Sequence, residues 1–378
     1  MRIGLVSTYP PIECGIATYT CYLNNALNKK GNETFVISQI GAQGERVFPV
    51  YGTNDTSLAS SIYNASANLT PDIIHIQHEF GLYGDQNGVQ IIELILRYKL
   101  SGIHVVVTFH TVHNKNNPRT DLIQRLILSE CSAVIVHEEI LKKILVRRFG
   151  MEEKIHVIPH GVRDVSLIPD AKKKLDLEGK KVILLCGYFR PTKGFYKIID
   201  IMPKICRQMD DAVLLLAGKS RRLEYIEYRT MLFERVNKSP VNDKIVILRG
   251  QFPQYTFDTI ISACDVTVLP YQIGAQSGIM AQCYAFHKPI VTSNLPAFKR
   301  SIKASQGGLA CNNREDYVKN IIKILKDDEY RHKLENNIEK YVNHQVGWSK
   351  TAEKHVEVYH SVVNVPYGKA KYAYFTKE

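Results

Sequence analysis

The stretch VILLCGYFRPTKGF, residues Val182–Phe195, decides how the second half of this chain folds. A run of apolar residues ends at Gly187, which is typical of a buried strand in a parallel sheet. Arg190 and Lys193 follow in a loop that contains a proline, and Gly194 precedes a helical pattern. Cations beside a helix N-terminus attract phosphate oxygens, so this stretch predicts an anion site at the end of a strand.

Strands and helices alternate in the same way along nearly all of the 378 residues. Because the alternation forms two series, it predicts two α/β domains with parallel, doubly wound sheets, at residues 1–163 and 180–345, joined by a polar linker at 164–179. The strands predicted in the first series are Ile3–Ser7, Glu33–Ser38, Ile73–Gln77, His104–Phe109, Ala133–His137 and Ile155–Ile158. Those predicted in the second series are Val182–Cys186, Ala212–Ala217, Lys244–Arg249, Val266–Leu269 and Pro289–Thr292. The helices predicted between strands include Ala17–Lys29, Val89–Leu100 and Leu122–Glu130, and the chain is predicted to be helical after about residue 315.

The composition limits the functions open to this chain. Basic residues exceed acidic ones by 49 − 37 = 12, which favours polyanions, anionic lipid headgroups or phosphorylated substrates as partners. Nucleic acid is not expected, because no recognition motif with interleaved aromatic residues accompanies the charge. No apolar run is long enough to cross a bilayer, and the N-terminal residues are typical of a strand rather than a signal peptide. We therefore expect a cytoplasmic protein with reduced cysteines.

The segment LKKILVRRFG, residues 141–150, predicts a basic amphipathic helix. Its apolar residues recur at helical spacing, and its cations are Lys142, Lys143, Arg147 and Arg148. One interpretation is a solvated helix face over a core. The other is peripheral contact with an anionic membrane. The sequence leaves both open.

Polar residues at the ends of the first-half strands are candidates for ligand binding, because ligands of open α/β sheets lie outside the carboxyl ends of the strands. His78 and Glu79 follow the third strand in HIQHEFGLYG, and His110 ends the next strand in TFHTVH. Gly15, followed by Ile16, opens the first helix and would let a ligand approach backbone N–H groups. We predict that His110 hydrogen-bonds a ligand and that His78 and Glu79 bind an acceptor or act as acid/base groups.

We predict no metal and no cofactor. His110 and His113 form an H-x-x-H pair, but no third ligand has a recognisable spacing, and no D-x-D triplet is present to hold a divalent ion. The absence of G-x-G-x-x-G argues against a dinucleotide oxidoreductase.

The second series supplies a larger set of strand-end residues suited to a nucleotide. Most of them follow apolar strands directly, in the segments LLLAGK and ILRG, or open the helix after Pro270, where backbone N–H groups would face a ligand. The candidates are Gly187, Gly218, Lys219, Arg249, Gly250, Gln276, Ser277, Gly278, Ile279 and Gln282.

Taken together and in order, these motifs resemble glycosyltransferase family four, the retaining GT-B enzymes. The resemblance covers nearly the whole chain: the first Gly-containing loop, the strand-end His110, PHGV at 159–162, G-x-x-R-P-x-K-G at 187–194, then ILRG, ACDVTVLPY and AFHKPIVTSN. HIQHEFGLYG with TFHTVH is similar to a less characterised branch of that family.

The resemblance implies a GT-B fold, with two Rossmann-like domains and an interdomain cleft, and a metal-independent transfer of a sugar from a nucleotide-diphosphate sugar to a glycan or lipid acceptor. Arg190 and Lys193 would hold the diphosphate, His110 would contact the donor sugar, and Gly15 with His78 and Glu79 would face the acceptor. It also implies retention of anomeric configuration, and a last helix near 347–363 that packs on the first domain.

One departure from the family leaves the function open. The family's pair of glutamates falls on Gly274 and Gln282 here, and the glutamate missing at Gly274 normally contacts the donor sugar. An active hexosyltransferase, a non-catalytic nucleotide-sugar-binding protein, and a GT-B glycosyl phosphorylase or epimerase therefore remain in competition.

Overall fold

The structure of the chain is a computed structural model that describes residues 1–113, 117–219, 225–250, 252–273 and 277–363. The strands among these residues are β1 Arg2–Val6, β2 Glu33–Gln39, β3 Val47–Tyr51, β4 Ile73–His78, β5 His104–Phe109, β6 Ala133–Val136, β7 Ile155–Val157, β8 Lys181–Cys186, β9 Ala212–Gly218, β10 Ile245–Arg249, β11 Val266–Leu269, β12 Ile290–Ser293 and β13 Gly308–Cys311. The helices are α1 Gly15–Lys29, α2 Leu58–Ala67, α3 Gln90–Leu100, α4 Pro118–Glu130, α5 Glu139–Phe149, α6 Tyr196–Ile199, α7 Met202–Cys206, α8 Ile226–Asn237, α9 Gln254–Ala263, α10 Gly278–Ala285, α11 Pro296–Ser305, α12 Arg314–Lys326, α13 Asp328–Tyr341 and α14 Trp348–Val363.

The chain divides into two compact units. The first unit comprises Met1–Gly161 and Gln345–Glu378, and the second comprises Val162–His344. The segment 164–179, predicted as a linker, is part of the second unit. It is tied there by Lys172, whose Nζ bonds Asp265 Oδ2 at 2.8 Å, and by the backbone N–H of Ile168, which donates to the hydroxyl of Ser262.

The first unit contains a parallel sheet with the strand order β3-β2-β1-β4-β5-β6-β7. Its strand order reverses between β1 and β4, so their loops leave the carboxyl edge on opposite sides, and such a switch point is where open α/β sheets bind ligands. Alternate residues face two separate cores: Ile74 and Ile76 face one, and Ile73 faces the other together with Trp348 of α14. The C-terminal helix thus completes a layer of the first unit.

The second unit contains a parallel sheet with the order β10-β9-β8-β11-β12-β13. Counted from β8, this is the Rossmann order 3-2-1-4-5-6, with its switch point between β8 and β11. The two parallel-sheet, Rossmann-like units confirm the α/β fold class expected from the alternation.

Two strands at or near sheet edges were not predicted. β3 contains Pro49, which cannot donate to a ladder and is tolerated at an edge. β13 is four residues long and begins with Gly308, so it lacks the β-branched composition of the predicted strands. Sheet pairing, with Ile290 opposite Gly308 in register, makes β13 a strand.

Gly308 tests the packing of this edge. A Cβ added at Gly308 would lie 2.1 Å from the backbone oxygen of Ile290. We expect Gly308→Ala to lower the free energy of unfolding by roughly 1–3 kcal/mol, because strand β13 must move away from β12. Urea unfolding followed by far-UV circular dichroism measures this. The control is Gly52→Ala, where an added Cβ meets nothing within 4 Å; equal midpoints for the two variants would contradict the register.

Candidate functional site

The strand-end loops of the second unit are joined to one another by backbone hydrogen bonds. The N–H of Phe189 donates to the oxygen of Lys219 at 2.9 Å, and the N–H of Gly250 donates to the oxygen of Gly218 at 3.1 Å. Across the switch point, the N–H of Gln272 donates to the oxygen of Thr192 at 2.8 Å. The loops after β8, β9, β10 and β11 therefore form one continuous edge.

Glycine is required where these loops approach most closely. An added Cβ at Gly218 would lie 1.9 Å from the oxygen of Gly187, and one at Gly194 would lie 2.3 Å from the oxygen of Pro270. Gly194 also has a φ of 63°, in the left-handed region. The donor-binding prediction included Gly187 and Gly218. In the structure, the absence of a side chain at Gly218 lets the two neighbouring backbones come together.

Lys193 lies at the centre of this edge without a carboxylate partner among the described residues. Its Nζ lies 3.4 Å from the centroid of the Tyr271 ring, a cation–π contact. Burial, and after it the positive charge of Arg190, lowers the pKa of Lys193 to about 8. A half-buried ammonium beside a second cation is electrostatically unfavourable, and a bound anion would stabilise both charges.

The N-terminus of α10 opens beside the same loops. Ser277 is its N-cap and accepts from the N–H of Met280 at 3.3 Å. Ile279 is the side chain nearest to the position that a Cβ on Gly187 would take, at 3.8 Å, and an added Cβ at Gly278 meets nothing within 4 Å. The first N–H groups of a helix have no acceptor within the helix, so those of α10 that Ser277 does not cap are available to a ligand. Gln276 and Gly274 lie outside the described residues.

Gln282 is held inside the second unit by Arg163. Its Oε1 accepts from Nη2 of Arg163 at 2.7 Å and from Nε at 3.0 Å, while the guanidinium also bonds both oxygens of Asp258. Both lone pairs of the Gln282 carbonyl are therefore occupied, so its NH₂ group is the part left to contact a ligand. Sequence reasoning did not find Arg163 or Asp258.

The remaining predicted donor-binding residues that the structure describes in the second unit include two arginines and a glycine. Arg249 packs over the Phe233 ring, with Cζ 5.1 Å from the centroid. Gly250 has a φ of 146°, and an added Cβ there meets nothing within 4 Å. Arg190 is exposed and is the N-cap of the short turn Pro191–Lys193. The structure thus brings the predicted donor residues it describes to one edge of the second sheet.

In the first unit, His110 is held by the side chain of Gln77, which lies within strand β4. Nε2 of His110 donates to Oε1 of Gln77 at 2.9 Å. The amide nitrogen of Gln77 lies 3.1 Å from Nε2 of His75, whose Nδ1 lies 2.6 Å from the hydroxyl of Tyr359 on α14. His75 and Gln77 are two residues apart in β4, so their side chains lie on the same face of the strand. This spacing is the sequence pattern from which their proximity could have been predicted.

Aromatic rings surround the same histidine. The ring of Tyr19 is packed edge-on against His110 at 5.0 Å between centroids, and it also contacts His137, His160 and Trp348. Burial lowers the pKa of each of these three histidines. His110 is therefore neutral near pH 7, with one ring nitrogen a donor and the other an acceptor.

The prediction that His78 is available to a ligand at the strand end is wrong. It is the last residue of β4 and is wholly buried between the rings of Phe80 and Phe109. Neither ring nitrogen has a hydrogen-bond partner in the structure, and burial lowers its pKa to about 3. Because it follows Gln77 by one residue, it faces the opposite side of the sheet.

Glu79, Gly15 and Ile16 remain at the edge of the first sheet. The carboxylate of Glu79 accepts from the hydroxyl of Thr111 and from the N–H of Phe80, which links the loops after β4 and β5. Gly15 is the first residue of α1, and an added Cβ there meets nothing within 4 Å. Ile16 is partly buried beside it.

No metal site was found in the part of the chain that the structure describes, since no three His, Cys, Asp or Glu side chains are grouped to hold an ion. His113 stacks instead on Phe80, at 5.4 Å between centroids. All eight cysteines are free thiols. Every helix within the described ranges is too short or too polar to span a bilayer.

Comparison with known proteins assigns the family. Residues 168–341 match the model of the glycosyl transferases group 1, and residues 14–164 match that of Glycosyltransferase Family 4. The chain belongs to the group 1 glycosyltransferases. The resemblance seen in the sequence is thereby confirmed, and with it the GT-B fold.

Individual relatives of this glycosyltransferase are distant. It is 25% identical over 387 residues to the phosphatidyl-myo-inositol mannosyltransferase of Mycolicibacterium smegmatis, covering 96% of this chain and 94% of that one. Among solved structures, a glycosyltransferase from Rickettsia africae is similar with a TM-score of 0.76 at 16% identity, covering 96% and 98% of the two chains. HepE from Anabaena, in complex with UDP, is similar with a TM-score of 0.73 at 12% identity, covering 96% and 100%.

Acid should destabilise the first unit through its buried histidines. Burial lowers the pKa of His78 and His137 to about 3 and that of His355 to about 4, whereas the unfolded chain has values near 6.5. Below pH 6.5 the unfolded chain binds protons that the folded unit does not. Stability is therefore complete above that pH and falls as the pH drops, by about 1.4 kcal/mol per pH unit for each histidine.

Fluorescence of the buried Trp348 reports this loss in urea unfolding between about pH 8 and pH 5. We expect His78→Leu to reduce the dependence on pH by about one proton, because the leucine fills the same apolar space without titrating. His332→Leu, at an exposed position of α13, is the matched control. A pH dependence that His78→Leu leaves unchanged would show that His78 does not titrate on unfolding.

Proposed function

We propose that this glycosyltransferase takes its sugar from a nucleoside-diphosphate donor bound at the carboxyl edge of the second sheet. The observation that carries the proposal is Lys193, a half-buried ammonium that lies on the Tyr271 ring and lacks a carboxylate partner among the described residues. Arg190 adds a second cation three residues earlier, and the start of α10 adds free backbone N–H groups. Two cations and a helix N-terminus suit a diphosphate.

The same groups would lower the barrier to transfer. The leaving nucleoside diphosphate gains negative charge as the glycosidic bond breaks, so cations fixed in place stabilise the transition state more than the bound donor. Lys193 is held in position by the ring of Tyr271 and by the hydrogen bond between Gln272 and Thr192, and it needs little reorganisation. We propose that these cations replace a divalent metal in the reaction.

Related proteins support this donor class. HepE has been solved with UDP and with UDP-glucose, and the mycobacterial relative is named as a mannosyltransferase. We therefore propose a hexosyl donor, and we propose retention of configuration from the resemblance to family four. The mycobacterial relative is also named for phosphatidyl-myo-inositol, which supports a lipid-linked acceptor as one candidate class.

In the first unit, we assign His110 to the sugar. His110 is only partly buried, and its Nδ1 has no hydrogen-bond partner among the described residues. A neutral imidazole whose Nε2 carries the proton presents Nδ1 as an acceptor for a sugar hydroxyl. Glu79 and the start of α1, at Gly15 and Ile16, are the proposed acceptor side.

The amide at Gln282 distinguishes this donor site from one built with a glutamate. Its oxygen is bonded to Arg163, so it would donate an N–H to a ribose oxygen rather than accept from two ribose hydroxyls. This favours weaker ribose binding, and it keeps a non-catalytic nucleotide-sugar-binding protein as the second candidate function. That candidate would bind nucleotide sugar in calorimetry without releasing a nucleoside diphosphate.

Alanine substitutions at the two cations test the donor site. A thermal-shift screen of nucleoside diphosphates and their sugars first identifies the donor, because ligand binding raises the melting temperature. With that donor, and with EDTA present, we expect Lys193→Ala and Arg190→Ala each to lower kcat/KM by about 30- to 900-fold, equivalent to roughly 2–4 kcal/mol.

Lys204→Ala is the matched control, because Lys204 lies on the surface of the same unit and pairs with Glu315. It should keep the activity of the unmodified chain. Full activity in Lys193→Ala would refute the assignment, and strict dependence of the unmodified chain on a divalent ion would refute metal independence.

We also propose that α5 contacts an anionic membrane surface. Ile140, Lys143 and Arg147 are exposed and recur at i, i+3 and i+7, so they share one face of the helix. Ile144 and Leu145 are buried, whereas Arg148 is tied to Asp121 and does not contribute. An exposed isoleucine beside two cations that have no ion-pair partner among the described residues is typical of an interfacial helix and suits a lipid-linked acceptor.

Vesicle sedimentation tests this surface. We expect the double variant Lys143→Glu with Arg147→Glu to lose binding to vesicles containing phosphatidylserine, because both cations attract the anionic headgroups. The double variant Lys319→Glu with Lys326→Glu on α12 changes the net charge equally at two exposed lysines of the second unit. Equal loss in both variants would indicate a response to net charge alone, against a specific α5 surface.

A further inference from the structure

Tyr271 contacts both elements of the second unit that suit an anion. Its ring lies beneath the ammonium of Lys193, with 3.4 Å from Nζ to the ring centroid, and its hydroxyl lies 3.4 Å from Oγ of Ser277, the N-cap of α10. The side chain is buried, and the ring of Phe298 packs on it at 5.4 Å between centroids. These contacts fix the ring, which presents one face to the lysine.

An aromatic ring holds an ammonium differently from a carboxylate. The face of a tyrosine ring carries partial negative charge, so it attracts a cation without cancelling the net charge. A carboxylate would pair with the ammonium and compete with a bound anion for its N–H donors. Other lysines of this unit have such partners, since Lys172 is paired with Asp265 and Lys181 with Asp328. Lys193 has none among the described residues, so its charge is left for a ligand.

The charge of Lys193 is unfavourable in the absence of an anion. Burial, and after it the positive charge of Arg190, lowers the pKa of Lys193 to about 8, so a neutral amine competes with the ammonium near that pH. The face of the Tyr271 ring acts in the opposite sense, because it stabilises only the charged form. An anion beside the ammonium would favour the charged form as well.

The other titratable groups described around this contact keep one charge state through the same pH range. Cys186 ends β8, Cys283 lies on α10, and the Tyr271 phenol lies under the lysine. Burial raises the pKa of all three well above their ordinary values, so they stay neutral. Arg190 stays positive at any pH the protein survives. Among the described groups at this contact, Lys193 is therefore the one that changes its charge near pH 8.

We propose that Tyr271 is a positioning residue that holds Lys193 in its charged form through the face of the ring, so that a bound diphosphate supplies the counter-ion that the chain does not. The inference rests on the proposed function for the identity of that anion, whereas the contact between ring and ammonium does not depend on it. Donor binding is then linked to a proton. The affinity is constant below about pH 8 and falls above it, because the site must take up a proton as the diphosphate binds.

Ring fluorination at position 271 tests the contact without changing its shape. Fluorine withdraws negative charge from the face of the ring, so phenylalanine and then phenylalanines with one, two and three ring fluorines form a graded series. NMR titration of the full chain with 13C-labelled lysine follows Lys193, whose signal Lys193→Arg assigns by its loss. We expect Tyr271→Phe to keep the midpoint of the unmodified chain, near pH 8, and the trifluorinated ring to move it lower by about one pH unit.

Calorimetry with the nucleoside diphosphate found by thermal shift tests the link to binding. Because the charged lysine is the form that pairs with the diphosphate, a midpoint about one pH unit lower weakens binding by about eight-fold at about pH 8.5. At about pH 6 both rings leave Lys193 charged, and the affinities should be equal. A loss of the same size at both pH values would be a general structural effect, and it would overturn the proposal.

Lys323 and Tyr330 form the matched control pair. Nζ of Lys323 lies 3.9 Å from the centroid of the Tyr330 ring, also in the second unit. This pair lies towards the opposite edge of the sheet, because Asp328 at the start of α13 is bonded to Lys181 at the start of β8. The same series at position 330 should leave the nucleotide affinity unchanged at about pH 8.5. An equal loss there would assign the effect to fluorination in general and overturn the proposal.

The two measurements separate this inference from the proposed function. If the unmodified chain binds no nucleoside diphosphate, the proposed function fails, while the NMR titration still decides whether the ring sustains the charge of Lys193. If fluorination leaves the titration of Lys193 unchanged, the positioning role of Tyr271 is overturned even in an active enzyme.

Discussion

The close approach of backbones at the carboxyl edge of the second sheet is the constraint on which the donor site depends. Parallel strands deliver their following loops to one edge, and the loops can meet only where no side chain intervenes. Gly218 against Gly187, and Gly194 against Pro270, satisfy that condition. The position of Lys193 over the ring of Tyr271 follows from this contact, because both residues lie within the loops that the glycines bring together.

The two units use their edges in different ways. The described edge of the second unit gathers positive charge at a helix N-terminus, and its Lys193 lies on an aromatic ring without a carboxylate partner among the described residues. The described edge of the first unit gathers neutral rings, with His110 between Tyr19 and His137. Burial depresses the pKa of these imidazoles, so the first unit offers directed hydrogen bonds where the second offers charge.

Strand periodicity explains why neighbouring polar residues of β4 lie in different environments. His75 and Gln77 face the layer that α14 covers, where Tyr359 and His110 complete their hydrogen bonds. His78 faces the other core, between two phenylalanine rings, and remains without a partner. A difference of one position in a strand thus separates a hydrogen-bonded glutamine from an unpaired histidine that lowers stability in acid.

The sequence by itself determined the alternation of strands and helices, two parallel sheets, and the placement of Arg190, Lys193 and His110 at strand ends. Each follows from local patterns: apolar runs, glycines, and polar residues that directly follow them. Tertiary structure decided the partners. Arg163 with Gln282, and Tyr359 with His75, are separated by 119 and 284 residues, and no local pattern encodes such pairs. The edge strands β3 and β13 also depended on pairing, because a proline and a glycine weaken their own preference.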